Sequence, residues 1–571
     1  MSLSTGLDMA IHGMMSAELK TSLSSQNITN ADKTGYTRKS LEVKYLTTTS
    51  GSTPVSGIVV GATDKFMTKA LVGDISSYQS DLTVSNSLDY YSKQLGSTSG
   101  TNTMSSYLDS MYSTLQYLAT NPETSANKSE VVQTASNLSA SVRSLSNNIQ
   151  KLRQDAEQKI ATSVQTINNT IDRIDKLNEK VSASVLGDSS LAEYEDQRVQ
   201  ELQNLAAETD IQYFYTSDNR IQIYTGGGQA LLLSDPHHID YTVTNVVNGS
   251  TAYPAGFSAI SLNGSDLTQK ITGGKLAGYI NLRDNIYPDE QAKLNEFSTV
   301  LKTQTNTLLN TGASVPPRSL MEGSLQSLTP ATAFTATGSV RVAVTDSSGA
   351  IQNYTDINLA AMANVGNVVT ALNGVAGLTA SLNTKGELSI SVSPSTNGVV
   401  INPLNSAVTS STGESFSQYF GLNDMFTGTS GEDIAVSDYL LTNPEYLSTS
   451  VLSSSATLAA GDRGVNRGDG SIAKSLSDML NSNVSFNAAG DFTAQSNTLQ
   501  RYAQAFISSA ASKADLSQKE SATTYQVFKT GTDLLTSSSG VNVDEETTKL
   551  LLYQNQYKAG AQVVKTIQDM L

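Results

Sequence analysis

MSLSTGLDMAIHGMMSAELKTSLSSQNI (residues 1–28) and VDEETTKLLLYQNQYKAGAQVVKTIQDML (residues 543–571) decide how this chain is read. In the first, Leu7, Ala10, Met14, Ala17, Thr21, Ser24 and Ile28 alternate by three and four, the seam of a coiled coil. In the second, Thr547, Leu550, Gln554, Tyr557, Ala561, Val564, Gln568 and Leu571 do the same. Asp544, Glu545 and Glu546 place carboxylates at its start, the positive end of a helix dipole. One such segment reads as an ordinary amphipathic helix packed on its own domain. Two of them, at opposite ends and with small or polar seam residues, argue for a pair. Helices this weak face a large nucleation cost alone, so they are expected to stay disordered until a partner arrives. After Ile28, the residues Asn30, Asp32 and Gly35 supply turn chemistry.

Working inward, an apolar series runs from Leu145 through Ile149, Leu152, Ala156, Ile160, Val164, Ile167, Ile171, Ile174, Leu177 and Val181 to Val185. Its period is that of a straight helix, which at ~1.5 Å per residue makes a rod of roughly 60 Å. Asp155–Lys159 and Asp172–Lys176 are spaced as ion pairs on its wet face. Helical sequence also fills 65–118, 125–142, 192–208, 287–310 and 494–536. Between 211 and 282 the period switches to two, with Gly226-Gly227-Gly228 as a loop. A second β-rich unit is flanked by Pro316-Pro317, Pro330 and Pro403, the mark of an insertion that projects outward.

The expected fold is therefore multidomain α+β: a terminal α-helical coiled coil, an elongated helical bundle built from both halves of the chain, and outward-projecting β-rich inserted domains. Its divisions are a coiled-coil part at 1–60, a bundle at 61–210, a β-rich segment at 211–282 and a bundle helix at 283–324. The inserted outer domain follows at 325–412, the returning bundle at 413–536 and the closing helix at 537–571.

At 571 residues three or four domains are expected. A net charge of −16 argues against nucleic acid and anionic membrane surfaces, which require clustered Lys and Arg. The absence of cysteine excludes disulfides, zinc–thiolate sites and thiol nucleophiles. No apolar run reaches the ~18 residues a membrane helix needs, so no membrane insertion is expected. The first twenty residues lack a basic region followed by a continuous apolar core, so export without a cleaved signal peptide is expected.

Chemistry is sparse. His12 lies in the first heptad segment, and His237 and His238 follow Asp235-Pro236 without metal-ligand spacing. The triple glycine lacks the Lys-Ser/Thr of a phosphate loop. GDRGVNRGDG (461–470) spaces Asp462, Asn466 and Asp469 like an oxygen-rich calcium loop without its closing Glu, and contains Arg467-Gly468-Asp469. A plain connecting loop is the simpler reading. No catalytic residue, metal or cofactor is assigned, and the chain is read as no enzyme.

SQNITNADKTGYTRK (25–39) resembles the N-terminal signature of flagellar rod, hook and hook-associated proteins through Asn27, Ile28, Asn30, Ala31, Thr34, Gly35, Tyr36 and Arg38. Residues 539–571 are similar to that family's closing helix through Val541, Asp544, Glu545, Gln554, Tyr557 and Ala559, with Gly560 in place of the usual Asn. SFSQYFGLNDMF (415–426), with Gly421, Leu422, Asn423 and Asp424, resembles the hook–filament junction family, hook-associated protein 1. So do IAVSDYLLTNPEYLS (434–448) and EDQRVQELQNLAAETDIQ (195–212).

The resemblance implies a structural, extracellular subunit at the hook–filament junction, exported by the flagellar type III route. Its implied partners are itself, the hook protein, the next hook-associated protein on the filament side, and an export chaperone on its C-terminal region. Leu7, Ala10, Met14, Ala17, Ile28, Leu550, Gln554, Tyr557, Ala561, Val564 and Leu571 are the expected assembly interface. The alternatives are a hook protein, another hook-associated protein, or a secreted adhesin using the same export route.

Overall fold

The computed structural model describes residues 3–33, 35–48, 51–97, 100–184 and 189–570, so Thr34, Val185 and Leu571 lie outside it. Its helices in chain order are α1 (Leu3–Thr29), α2 (Lys65–Leu95), α3 (Met104–Thr120), α4 (Ser125–Ala183), α5 (Ser189–Glu208), α6 (Gly274–Asn281) and α7 (Tyr287–Leu309). There follow α8 (Val365–Asn373), α9 (Phe416–Phe420), α10 (Asp438–Thr442), α11 (Ser471–Leu480), α12 (Leu499–Ser539) and α13 (Val543–Met570). Helix accounts for 53% of the chain, so the strand-rich segments are additions to a mainly helical molecule of mixed α/β class. No helix among the described residues is long and apolar enough to cross a membrane.

The chain forms two compact units. The first comprises Met1–Tyr90, Leu152–Asn285 and Lys513–Leu571. Its centre is the α4 stripe Ile160, Val164, Ile167, Ile171 and Ile174, which is buried against Leu71, Val72 and Ile75 of α2 and Leu202 and Leu205 of α5. β-branched residues are mediocre helix formers. Each, however, contributes about 1.5–3 kcal/mol when fully buried, and that sum decides the helix. A meander of 211–215, 221–225 and 230–232 closes the other side of this core, with the triple glycine forming the turn between its last two strands. Residues 274–281, within the segment read as β-rich, are helical instead. Leu276, Ala277 and Ile280 are buried in the same core, and a helix is what brings all three to one face.

A charged knot holds the long loop after residue 240 against α4. The Glu157 carboxylate accepts from Arg283 Nη1 (2.7 Å), the Tyr241 hydroxyl (2.6 Å) and the Thr244 amide (2.8 Å). The Glu157 and Arg283 side chains are both 0% exposed. The Phe257 ring lies 4.3 Å from the Arg283 guanidinium. Asp172 pairs with His238 (2.8 Å) rather than with Lys176, because the loop brings the imidazole to it.

The second unit comprises Tyr91–Lys151 and Ile286–Ser512. Its strand 339–345 pairs antiparallel with both 351–358 and 398–402. Side chains alternate across a strand. Val340, Val342 and Val344 therefore enter one core while Ala343 enters a second, smaller one. The larger core runs from Met321 to Leu422, so Phe416, Phe420 and Leu422 belong to the body of the insertion rather than to a helix beyond it. Residues 413–498 hold only short helices, because Gly421, Gly428, Gly461 and Gly490 adopt positive φ and Pro444 opens a turn. Long helix resumes at Leu499, five residues later than the periodicity placed it.

Candidate functional site

The two ends of the chain meet. Helices α1 and α13 pack antiparallel in a fixed register. Gly6 lies against Ile567, the Lys20 ammonium sits 5.6 Å over the Tyr553 ring, and Asn27 bonds Glu546. In these three pairs the numbers sum to 573, so 6, 20 and 27 on α1 and 546, 553 and 567 on α13 face one another, each one residue before a member of the series Leu7, Thr21, Ile28, Thr547, Gln554 and Gln568. Ala17 and Ser24 are buried, and Leu7, Ala10, Met14, Thr21 and Ile28 are half-buried. On α13, Leu550, Ala561 and Val564 are half-buried, whereas Gln554 and Tyr557 are exposed. The offset arises because Gly6, Gly13 and Gly560, invisible to a count of apolar side chains, line the crossing.

Gly560 marks the closest approach. A Cβ there would lie 2.6 Å from Met14 Cγ. Glycine costs about 1 kcal/mol in a helix interior, and here it admits the neighbouring helix. Gly560→Leu is expected to cost about 1–3 kcal/mol of pairing by overpacking. Reduced hydrogen-exchange protection across 3–29 and 543–570 is the readout.

At its closed end the pair is fastened by the motif residues. Asn27 is 0% exposed, and its amide nitrogen donates to Glu546 Oε2 (2.9 Å) and to the Lys39 carbonyl (2.9 Å). Its amide oxygen accepts from the Tyr36 hydroxyl and the Lys39 backbone N–H, both at 2.9 Å. Only an amide offers two donors and a two-lone-pair acceptor; a carboxylate at this position would face Glu546. Arg38 Nε donates to Glu546 Oε1 (2.9 Å), and its backbone N–H to the Ser539 carbonyl (2.8 Å). Lys39 Nζ pairs with Asp196 on α5 and donates to the Ala192 carbonyl (2.9 Å). The Thr37 hydroxyl donates to the same carboxylate (2.6 Å).

Gly35 adopts φ +78°, and a Cβ there would meet Gln200 Oε1 at 2.8 Å. Asn30 stays outside the knot, its side chain donating to the Gln26 carbonyl (2.9 Å).

The electrostatics follow from burial. Burial, with Asp196 and Glu546 nearby, pushes the Tyr36 hydroxyl up to about 12. Burial pulls Lys39 down, and Asp196 partly offsets this. For Glu546 burial acts upward, yet hydrogen bonds from Asn27 and Ser24 and the charges of Lys549 and Arg38 hold it below the usual carboxylate range. Sequence reading assigned Glu546 only a dipole role and gave Lys39 and Asp196 none. The signal for Lys39 and Asp196 was that the 25–39 and 195–212 segments both carried family residues, and for Glu546 that it follows Asp544 and Glu545 in the 539–571 segment.

Gly421–Asp424 form a different device in the second unit. Gly421 takes φ +64°, where a Cβ would collide with Ser324 Oγ at 2.0 Å. The Asn423 backbone N–H donates to Asn310 Oδ1 (2.9 Å), and its side-chain oxygen accepts from Arg318 (2.9 Å). Asp424 accepts from Asn310 (2.7 Å) and Ser324 (2.6 Å), and burial raises its carboxyl. This turn staples the end of α7 to the β-rich body.

Elsewhere, Asp469 accepts from Ser450 (3.1 Å) and the Ser471 backbone N–H (2.9 Å), so the Arg-Gly-Asp carboxylate is committed to its own turn. Among the described residues no three His, Cys, Asp or Glu side chains converge as metal ligands.

Residues 92–317 match the family model described as the flagellar hook-associated protein FlgK helical domain. Residues 535–571 match that of the flagellar basal body rod FlgEFG protein C-terminal region. No curated protein matches the chain. Among solved structures, the flagellar hook junction protein FlgK from Burkholderia pseudomallei is similar at 15% identity and a TM-score of 0.48, over 82% of this chain and 99% of that one. The helical-domain match and the rod-type C-terminal match, which contains Glu546, support a FlgK-family flagellar hook-associated protein.

Proposed function

We propose that the chain is the axial subunit of the hook–filament junction and polymerises through its terminal helices. The observation that carries this reading is the outer face of the α1/α13 pair. Ile11, Met15 and Leu19, on successive turns of α1, are 41%, 61% and 37% exposed, and Leu551, Leu552 and Val563 on α13 are 57%, 53% and 48% exposed. A two-helix element that keeps its small residues inside and its large apolar ones outside is built to be covered. Copies of the chain, with hook protein on one side and the next hook-associated protein on the other, cover it in the assembled zone. Before assembly, an export chaperone on the α13 region shields the same surface, and the chain leaves the cell by type III export without signal cleavage.

The test adds purified chain to isolated hooks under the electron microscope. Wild type is expected to cap the hooks, and Ile11→Glu with Met15→Glu to remain folded but fail to cap. Equal capping by the variant, or intact filaments on cells lacking the gene, overturns the reading.

A further inference from the structure

The part of α12 that lies in the first unit is apolar on two faces, with Phe528 and Leu535 packed on the unit's core and a second set of apolar side chains turned outward. Ser517 and Ser521 face inward at 5% and 6% exposure, while Leu516, Val527 and Leu534 face outward at 57%, 51% and 55%. The outward positions 516, 520, 523, 527, 530 and 534 step by four and three, the spacing of a helix seam. Asp515–Lys519 and Lys529–Asp533 pair beside the stripe at 2.7 and 2.8 Å, which leaves Glu520 as the carboxylate on it with no side-chain partner among the described residues.

A complementary feature stands at the start of α2. Phe66 is 83% exposed, although the Asp64 carboxylate caps its turn through the Phe66 and Met67 amides (2.9 and 3.0 Å). On either side, the Lys65 ammonium lies 4.0 Å from the Tyr215 ring and the Lys69 ammonium 4.8 Å from the Phe214 ring. Cation–π contacts hold both stems in place. Neither lysine has a carboxylate partner among the described residues, in a chain of net charge −16. Rigid exposed aromatics beside unpaired cations are the make-up of an interface anchor.

We propose that the outward face of α12 is a contact between copies of this chain, seated on the Lys65–Phe66–Lys69 patch of a second copy. Phe66 packs on the Leu516–Val527–Leu534 stripe, and Glu520 faces the two ammonium groups. The two surfaces differ, so the contact is head-to-tail and repeats from subunit to subunit without closing on itself, as a helical zone requires. This rests on the polymerising role proposed above and adds a contact outside the terminal helices.

The experiment uses full-length chain carrying a photo-crosslinking amino acid at position 527, added to isolated hooks. A covalent dimer whose adduct maps to the peptide containing 65–69 is expected. Val527→Glu and Phe66→Glu, each with an unchanged circular dichroism spectrum, are expected to lower the incorporated copies at least tenfold. Glu520→Lys is expected to weaken incorporation and to be rescued by Lys65→Glu with Lys69→Glu. If wild type assembles and Val527→Glu or Phe66→Glu assembles equally, or the adduct maps elsewhere, this contact is overturned and polymerisation by the terminal helices stands. If wild type fails to assemble on hooks at all, both are overturned.

Discussion

Glu546→Ala is expected to separate the two ends of the chain. The Glu546 side chain is 3% exposed and serves Asn27 and Arg38 together, so its loss strands a buried amide and half of a guanidinium. Breaking a buried charged pair from one side costs about 3–5 kcal/mol, more than a pair seamed with glycine and alanine can absorb. Protection factors for 3–29 and 543–570 are expected to collapse, with those of the second unit unchanged; unaltered protection in α1 would refute the clasp.

Acid should imitate the substitution. The folded carboxyl of Glu546 lies below its unfolded value. Its contribution is therefore fully present above the ordinary glutamate range near about 4.3 and is lost as pH falls through the lowered folded value. Glu546→Gln should flatten that acid limb.

The second large effect belongs to the knot under the 241–257 loop. Glu157→Ala removes the acceptor for Arg283, Tyr241 and Thr244 at one stroke, in a site where both charged side chains are fully buried. Arg283 keeps Asp284 (2.8 Å), which limits the damage to about 3–5 kcal/mol rather than unfolding outright. Glu157→Gln keeps one carbonyl acceptor and should cost less. Hydrogen exchange across 239–262 is the direct measurement, and equal protection in wild type and Glu157→Ala would show that the loop is held by other means.

Much of the fold was legible because it rests on periodicity. The isoleucines of α4 and the strand 339–345 announce their buried faces through spacings of 3.6 and two. The helix pair was legible as a pair, but its seam was read one residue late, because Gly6, Gly13 and Gly560 contribute by lacking side chains and so leave no apolar mark. The clasp was legible only in part. Asn27, Tyr36 and Arg38 stood out by resemblance, whereas Glu546, 519 positions from Asn27, becomes their partner only through the antiparallel register. The turn at Gly421–Asp424 was visible as a motif, but its task of stapling α7 to the insertion depends on Asn310, Arg318 and Ser324, which carry no local pattern.

The antiparallel clasp also sets an order of events. Asn27 and Arg38 leave the ribosome 519 and 508 positions ahead of the carboxylate that completes them. A nascent chain therefore holds an open latch until Glu546 arrives.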